Sequence, residues 1–503
     1  MDLSHFTPKS RGRASGAGLA AHLFVWTAIA CVSLLNLGVS IRADDVWSLK
    51  TASLPLPELL AAIRADVHPP LYFLLLKPWI TSFGTTESAS RLLSVLFHFG
   101  ACVLMYALGR RMAGRGMGLL CAAIYAFAPL AVLSAELVRM YSLAGLLSAA
   151  AVLLWNAAAT GPAPRRTWAA LITVIVLGSF THIWFLCLAA ALCAASLIHF
   201  PRRAIPVIGA ISAAMLPFAF LWLPALLAQV GRSGDSAAWL KPPSLPMLGE
   251  MLFLHLGVIP VFLLFFISAR FRRRQPLSAA PWWAVTVYAA TLLPPLLISF
   301  HIPFFYPRFT VVALPALAVV IAALLSRVEP PALAASIAGA ALLLFGGSRL
   351  SAPACEARTA AQALQTHVSS GDVVVYGSLS RPAVDFYLDR LAPRRTWREQ
   401  SFPVIIDAHP GYEGSHLRAD DLDPLRAEAA ATASGFTQSG ARRVFYLAGY
   451  RRHIDTILTE ALNRQFGPPS TLIACGKGDY FREILVFERR HGQLTPSPDP
   501  PRP

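Results

Sequence analysis

Arg42 to Arg91 reads RADDVWSLKTASLPLPELLAAIRADVHPPLYFLLLKPWITSFGTTESASR, and it decides what kind of chain this is. An apolar run at 17–41 precedes it and another at 87–109 overlaps its end, each long enough to cross about 30 Å of hydrocarbon. Between them, Leu56 to Ile63 has the spacing of a short amphipathic helix, Asp66 to Tyr72 stops it, and Phe73–Ile80 is apolar but too short to span. Such a loop is expected to fold as juxtamembrane helices lying on the bilayer.

The same reading continues outward. Further apolar runs at 117–134, 141–159, 167–181, 183–200, 204–227, 248–269, 280–300, 309–326 and 331–347 bring the expectation to about eleven transmembrane helices. Only 14% of the 503 residues are charged and 55% are hydrophobic, with mean hydropathy +0.55. A soluble enzyme carries nearer a quarter charged residues, so that class is excluded.

The net charge of +16 is unevenly spread. Residues 1–346 hold 24 Lys and Arg against 10 Asp and Glu, whereas 347–503 hold 19 against 17. The basic residues fall on alternate connections: Lys9, Arg11 and Arg13; Arg110, Arg111 and Arg115; Arg165 and Arg166; Arg202 and Arg203; Arg270 and Arg272–Arg274. The positive-inside rule makes these cytoplasmic. An odd span count then leaves the N-terminus inside and residues 349–492 in the periplasm of a bacterial inner membrane. The first run is too long for a signal-peptide core and lacks a cleavage pattern, so it is expected to remain as an anchor.

In 349–492, short β-branched or aromatic runs at Val373–Tyr376, Val404–Ile406, Val444–Leu447 and Ile484–Phe487 alternate with helical segments near 354–368, 380–390, 423–433 and 451–464, which predicts a small α/β domain. Cys355 and Cys475 lie in it, and an oxidising compartment permits a disulfide that their spacing does not establish. Residues 493–503 read as a disordered Pro-rich tail.

Ionisable groups near a membrane are costly and therefore informative. Asp44 and Asp45 follow the first span directly, either as the solvated start of a loop or as a base poised at the surface. His68 precedes Pro69 and Pro70, whose locked backbone fixes it, either as a turn cap or as a functional group. Glu136 and Arg139 are three apart, so on a helix they share a face and can pair, with Tyr141 in the aromatic belt. Tyr306 and Arg308 lie in an aromatic loop bounded by Pro303 and Pro307. There Arg308 either snorkels or meets a phosphate. His182 stands alone between the fifth and sixth spans and packs against helices or meets substrate.

Together these loops resemble bacterial GT-C superfamily glycosyltransferases of the dolichyl-phosphate-mannose-protein mannosyltransferase-like branch, a superfamily that includes lipid A aminoarabinose transferase. The branch's acidic pair, HPPLY stretch and FG-x-x-E-x-x-x-R segment are similar to Asp44-Asp45, His68–Tyr72 and Phe83–Arg91 here. Its E-x-R-M-Y is similar to Glu136–Tyr141 with one extra residue, and its P-R-Y/F element to Pro307–Phe309. The family's usual Asp-Glu pair is Asp44-Asp45 in this chain.

The resemblance implies a polytopic helical protein with a GT-C catalytic domain over 1–348. It implies transfer of a sugar from a polyprenyl-phosphate donor to a lipid, polysaccharide or protein acceptor at the periplasmic face. Asp44 is then the expected base, Asp45 orients the acceptor or substitutes, Glu136 completes the acidic set, and His68, Arg139, Tyr141, His182, Tyr306 and Arg308 bind substrate. Single displacement implies inversion at the anomeric carbon. Asp44, Asp45, His68 and Glu136 could supply ligands to a divalent cation, whose requirement stays open. A lipid-linked sugar flippase would instead show charges buried mid-span and paired broken helices. A non-catalytic envelope assembly protein would leave the carboxylates dispensable.

Overall fold

The computed structural model describes residues 16–35, 37–66, 68–236, 240–257, 281–326, 356–377, 379–407, 422–449, 452–474 and 481–489. The expected span at 331–347, the second half of that at 248–269, Lys9, Arg11, Arg13, Arg270, Arg272–Arg274, Cys355, Cys475 and the Pro-rich tail lie outside them.

The chain divides into two compact units. The first comprises Met1–Val39, Ser48–Arg232 and Leu240–Ser351; the second comprises Ser40–Trp47, Ser233–Trp239 and Ala352–Pro503.

The first unit holds α1 (Gly16–Leu34), the part of α2 (Ala43–Ser53) from Ser48 onward, α3 (Leu56–Ala65) and α4 (Leu71–Phe83). The short amphipathic helix expected from Leu56 is α3, which buries Leu59 and Ile63. Lys77 of α4 donates to the carbonyls of Ala52 (3.4 Å) and Leu54 (2.6 Å), capping the end of α2. Next comes α5 (Glu87–Ala126), which breaks at Ala113–Gly114, where Gly114 takes φ +84°. The expected spans at 87–109 and 117–134 meet across this break. Gly109 lies against the Met117 carbonyl and Gly118 against that of Tyr106, closer than a Cβ would allow.

The remaining helices are α6 (Pro129–Glu136), α7 (Tyr141–Thr160), α8 (Arg165–Ser179), α9 (Trp184–His199), α10 (Pro201–Leu221), α11 (Leu223–Ser236), α12 (Leu245–Leu256), α13 (Trp282–Ser299), a 3-10 turn Pro307–Ala313 and α14 (Leu314–Leu325). Among the described residues, five segments are long and apolar enough to cross a membrane: Glu87–Ala126, Tyr141–Thr160, Pro201–Leu221, Trp282–Ser299 and Pro307–Leu325. The count of about eleven is not reached by this measure. The expected spans at 167–181 and 183–200 form helices of only 15 and 16 residues, and at 1.5 Å per residue these fall short of 30 Å.

The second unit carries α15 (Ala357–His367), β1 (Val373–Gly377), α16 (Ser380–Leu391), β2 (Arg398–Phe402), α17 (Asp423–Gln438), β3 (Arg443–Ala448), α18 (Arg452–Phe466), β4 (Ser470–Ala474) and β5 (Glu483–Glu488). The strand order is β2-β1-β3-β5-β4, with β1 parallel to β2 and β3, and β5 antiparallel to β3 and β4. Three expected strands are present. The fourth is displaced: Val404–Asp407 is a 3-10 turn and the strand is Arg398–Phe402. Pro403 has no N–H for a ladder, and the polar sequence of β2 suits the sheet edge it occupies. The other edge strand, β4, is equally unmarked by apolar alternation.

Candidate active site

Two segments that differ greatly in sequence meet first at the HPPLY loop. The Leu71 N–H donates to the Phe180 carbonyl (2.9 Å), tying this loop to the α8–α9 turn that carries His182. His68 and His182 are both buried, with ring centroids 6.3 Å apart. Tyr141, the first residue of α7, lies 5.8 Å from His182 and 6.4 Å from Phe309. Phe309 in turn lies 5.3 Å from His182 and 5.6 Å from Tyr306. Four loops distant in sequence therefore share one aromatic cluster.

Arg139 joins it. Its Nη2 lies 2.7 Å from His68 Nε2, and its Nη1 donates to Ser48 Oγ at 3.3 Å. Arginine has no acceptor, so His68 Nε2 accepts and its ring proton sits on Nδ1. The His182 Nδ1 accepts from the Trp184 N–H at 3.2 Å, which puts the proton of that neutral ring on Nε2. His182 Nε2 and Trp184 Nε1 are buried with no hydrogen-bond partner. Two N–H donors are thus held in an aromatic setting without acceptors, an arrangement that asks for an explanation.

Burial first, then the Arg139 guanidinium, then His182, hold the His68 pKa well below its ordinary value. Burial and then Arg139 lower that of His182 to about 3. As pH falls below about 6.5, the unfolded chain binds protons that the folded chain refuses, so stability falls with pH. The unfolding midpoint of the purified protein is therefore expected to drop from pH 7 toward pH 4, and His182→Gln is expected to flatten that slope. Equal slopes in variant and wild type would contradict the assignment of His182.

Arg308 sits at the start of the 3-10 turn, half-buried, with its guanidinium carbon 5.2 Å from the Tyr306 ring centroid and Nη2 donating to Tyr306 Oη at 3.4 Å. The preceding loop is shaped by Ser299, whose Oγ accepts from the N–H groups of Phe304 (3.1 Å) and Phe305 (3.0 Å).

The acidic residues are arranged differently from the sequence expectation. Asp44 and Asp45 do not end the first span: α1 stops at Leu34, and the pair forms the first turn of α2. Negative charge there faces the positive rather than the negative end of a helix dipole. The buried Asp45 accepts the Arg42 N–H through Oδ2 at 3.2 Å, as in the acidic half of a capping box, while Asp44 is half-buried. This segment belongs to the second unit. The Ile41 N–H donates to Tyr387 Oη (2.8 Å), and the Arg358 N–H donates to Ser40 Oγ (3.3 Å). Glu136 ends α6 and Leu137 is extended, so Glu136 and Arg139 do not share a helical face as expected.

Sequence reasoning missed Trp184, which carries no motif signal, and gave no role to Ser48 or to Phe309, the last residue of the P-R-Y/F element. It placed Arg91 within a motif without seeing its task. Arg91 is buried and donates to the carbonyls of Glu136 (2.6 Å), Leu37 (3.3 Å) and Val39, while Ser94 Oγ donates to the Leu137 carbonyl (2.7 Å). These bonds hold the turn from which Arg139 projects. Among the described residues, no group of three or more His, Cys, Asp or Glu side chains is placed to hold a metal ion.

No protein-family profile and no curated protein sequence matches this chain. Its structure is similar to that of ArnT from Cupriavidus metallidurans. The apo form aligns at TM-score 0.52 with 13% identity, over 94% of this chain and 98% of that one. The form bound to undecaprenyl phosphate aligns at TM-score 0.53 with 11% identity, over 96% and 100%. An Archaeoglobus fulgidus oligosaccharyltransferase tethered with an acceptor peptide aligns at TM-score 0.45 with 13% identity, over 92% and 73%. The similarity covers nearly the whole of both chains: by fold, this chain is a polytopic helical protein like ArnT.

Proposed function

We propose that the protein is a membrane glycosyltransferase that moves a sugar from a polyprenyl-phosphate donor to an acceptor nucleophile at the periplasmic face of a bacterial inner membrane, with inversion. The observation that carries this reading is the cluster of His68, Arg139, Tyr141, His182 and Phe309, drawn from four separate loops on a fold shared with ArnT. ArnT's complex with undecaprenyl phosphate makes a prenyl phosphate the natural donor carrier to test.

A prenyl phosphate cannot leave the bilayer, so its sugar must be transferred at the interface. Arg308, steadied by Tyr306, is assigned to the departing phosphate, where fixed positive charge offsets the charge that develops. His182 Nε2–H and Trp184 Nε1–H supply uncharged donors to sugar or phosphoryl oxygens, and the Tyr141 and Phe309 rings supply an apolar surface for a pyranose. Asp44 is assigned as the base that takes the acceptor's proton. Asp45, occupied at the helix cap, orients Asp44 and the acceptor. Arg139 and His68 order the loops, and Glu136 is kept as a further acidic group near the acceptor. The α/β domain over 349–492 is assigned to the periplasm with the acceptor.

The test is mass spectrometry of envelope glycans and glycolipids from cells with and without the protein. One saccharide is expected to disappear in its absence and to return with wild type. Unchanged glycans and glycolipids would overturn the assignment to transfer.

A further inference from the structure

A buried polar chain lies outside the mechanism above. His255 on α12, Tyr288 on α13 and Thr310 in the 3-10 turn lie in an otherwise apolar part of the first unit, where an ionisable residue is costly and asks for a function. Tyr288 Oη is 2.9 Å from His255 Nδ1, His255 Nε2 is 2.6 Å from Thr310 Oγ1, and Thr310 Oγ1 donates to the Pro307 carbonyl at 2.6 Å. His255 and Thr310 are 1% and 0% exposed, so water does not compete for these bonds.

The directions follow from a proton count. A threonine hydroxyl has one hydrogen, and Thr310 gives it to Pro307. Thr310 must therefore accept from His255, which puts the ring proton on Nε2. The bare Nδ1 then accepts from the Tyr288 hydroxyl. The chain runs one way, from Tyr288 through His255 and Thr310, and ends on the carbonyl that precedes Arg308.

We propose that His255, Tyr288 and Thr310 are positioning residues that fix the first turn of the Pro307–Ala313 helix and so aim the Arg308 guanidinium at the phosphate of a prenyl-phosphate ligand. A 3-10 turn has weaker internal hydrogen bonds than an α-helix, so an anchor from two neighbouring helices matters more here than it would in α14. This rests on Arg308 being the phosphate-binding group.

The experiment measures binding of a short-chain polyprenyl phosphate, with the corresponding polyprenol as control, to the full-length protein in detergent. Arg308→Ala is expected to weaken phosphate binding about 100-fold and leave polyprenol binding unchanged. Thr310→Val, which keeps the shape and removes both hydrogen bonds, is expected to weaken phosphate binding about 10-fold, and Thr310→Ser to restore it. Tyr288→Phe, which removes only the first donor, should weaken it about threefold, by the same loss of orientation. The double variant Arg308→Ala/Thr310→Val is expected to bind no worse than Arg308→Ala alone.

Full additivity in the double variant, or equal loss of polyprenol binding, would show that Thr310 acts on the fold generally and would overturn the proposal. So would wild-type binding by Thr310→Val. Normal phosphate binding by Arg308→Ala would instead overturn the phosphate assignment, and this proposal with it.

Discussion

Asp44→Asn is expected to lower sugar transfer by about a thousandfold, within the range that a lost general base produces, while leaving the unfolding midpoint where it was. The substitution keeps the size of the side chain at the second position of α2 and removes only its capacity to hold an acceptor's proton. The neighbouring carboxylate separates the two possible roles. Asp45 accepts the Arg42 N–H at the helix start, so Asp45→Ala is expected to cost about 1 kcal/mol of stability, the usual worth of a cap. Its loss of transfer should be far smaller than that of Asp44→Asn. Transfer assayed beside thermal unfolding for both variants decides the matter. A fully active Asp44→Asn removes Asp44 as base, and a reversed order of effects moves the role to Asp45.

The sequence marked which loops to inspect but not how they meet. The HPPLY stretch, the Glu136–Tyr141 segment and the Tyr306–Phe309 element were visible because prolines, charges and aromatic residues are conspicuous against apolar spans. What they touch was not visible, because the contacts join residues far apart in the chain: His68 meets Arg139, and Arg139 reaches Ser48. The expected Glu136–Arg139 pairing assumed that α6 continues to Arg139, but it ends at Glu136. Arg91 and Ser94, four and seven residues into α5, draw the Glu136 and Leu137 carbonyls away from helical pairing. The expectation that Asp44 and Asp45 follow the first span directly failed for a similar reason, since apolar composition through Ile41 masks the end of α1 at Leu34. In the α/β unit, β1, β3 and β5 were legible because they bury β-branched and aromatic residues. The edge strands β2 and β4 bury little, so their composition gave no strand signal.

Arg139→Ala is expected to cost about 3 kcal/mol of stability and about a hundredfold in transfer. The stability loss combines a cavity with the loss of the donor that satisfies the buried His68 Nε2. The transfer loss follows from geometry, because His68 leads the loop whose Leu71 N–H anchors the His182 turn, and small displacements of binding groups are amplified in rate. Arg139 also donates to Ser48 within the same unit, so one side chain ties the HPPLY loop to the second half of α2. Arg139→Lys sharpens the test. It keeps the charge, but a single ammonium cannot reproduce the planar fork that reaches both His68 and Ser48. If the lysine variant unfolded and transferred like wild type, charge alone would suffice and the fork would be irrelevant. If it behaved like Arg139→Ala, the guanidinium would be acting as a strut between loops, as its hydrogen bonds to His68 and Ser48 suggest.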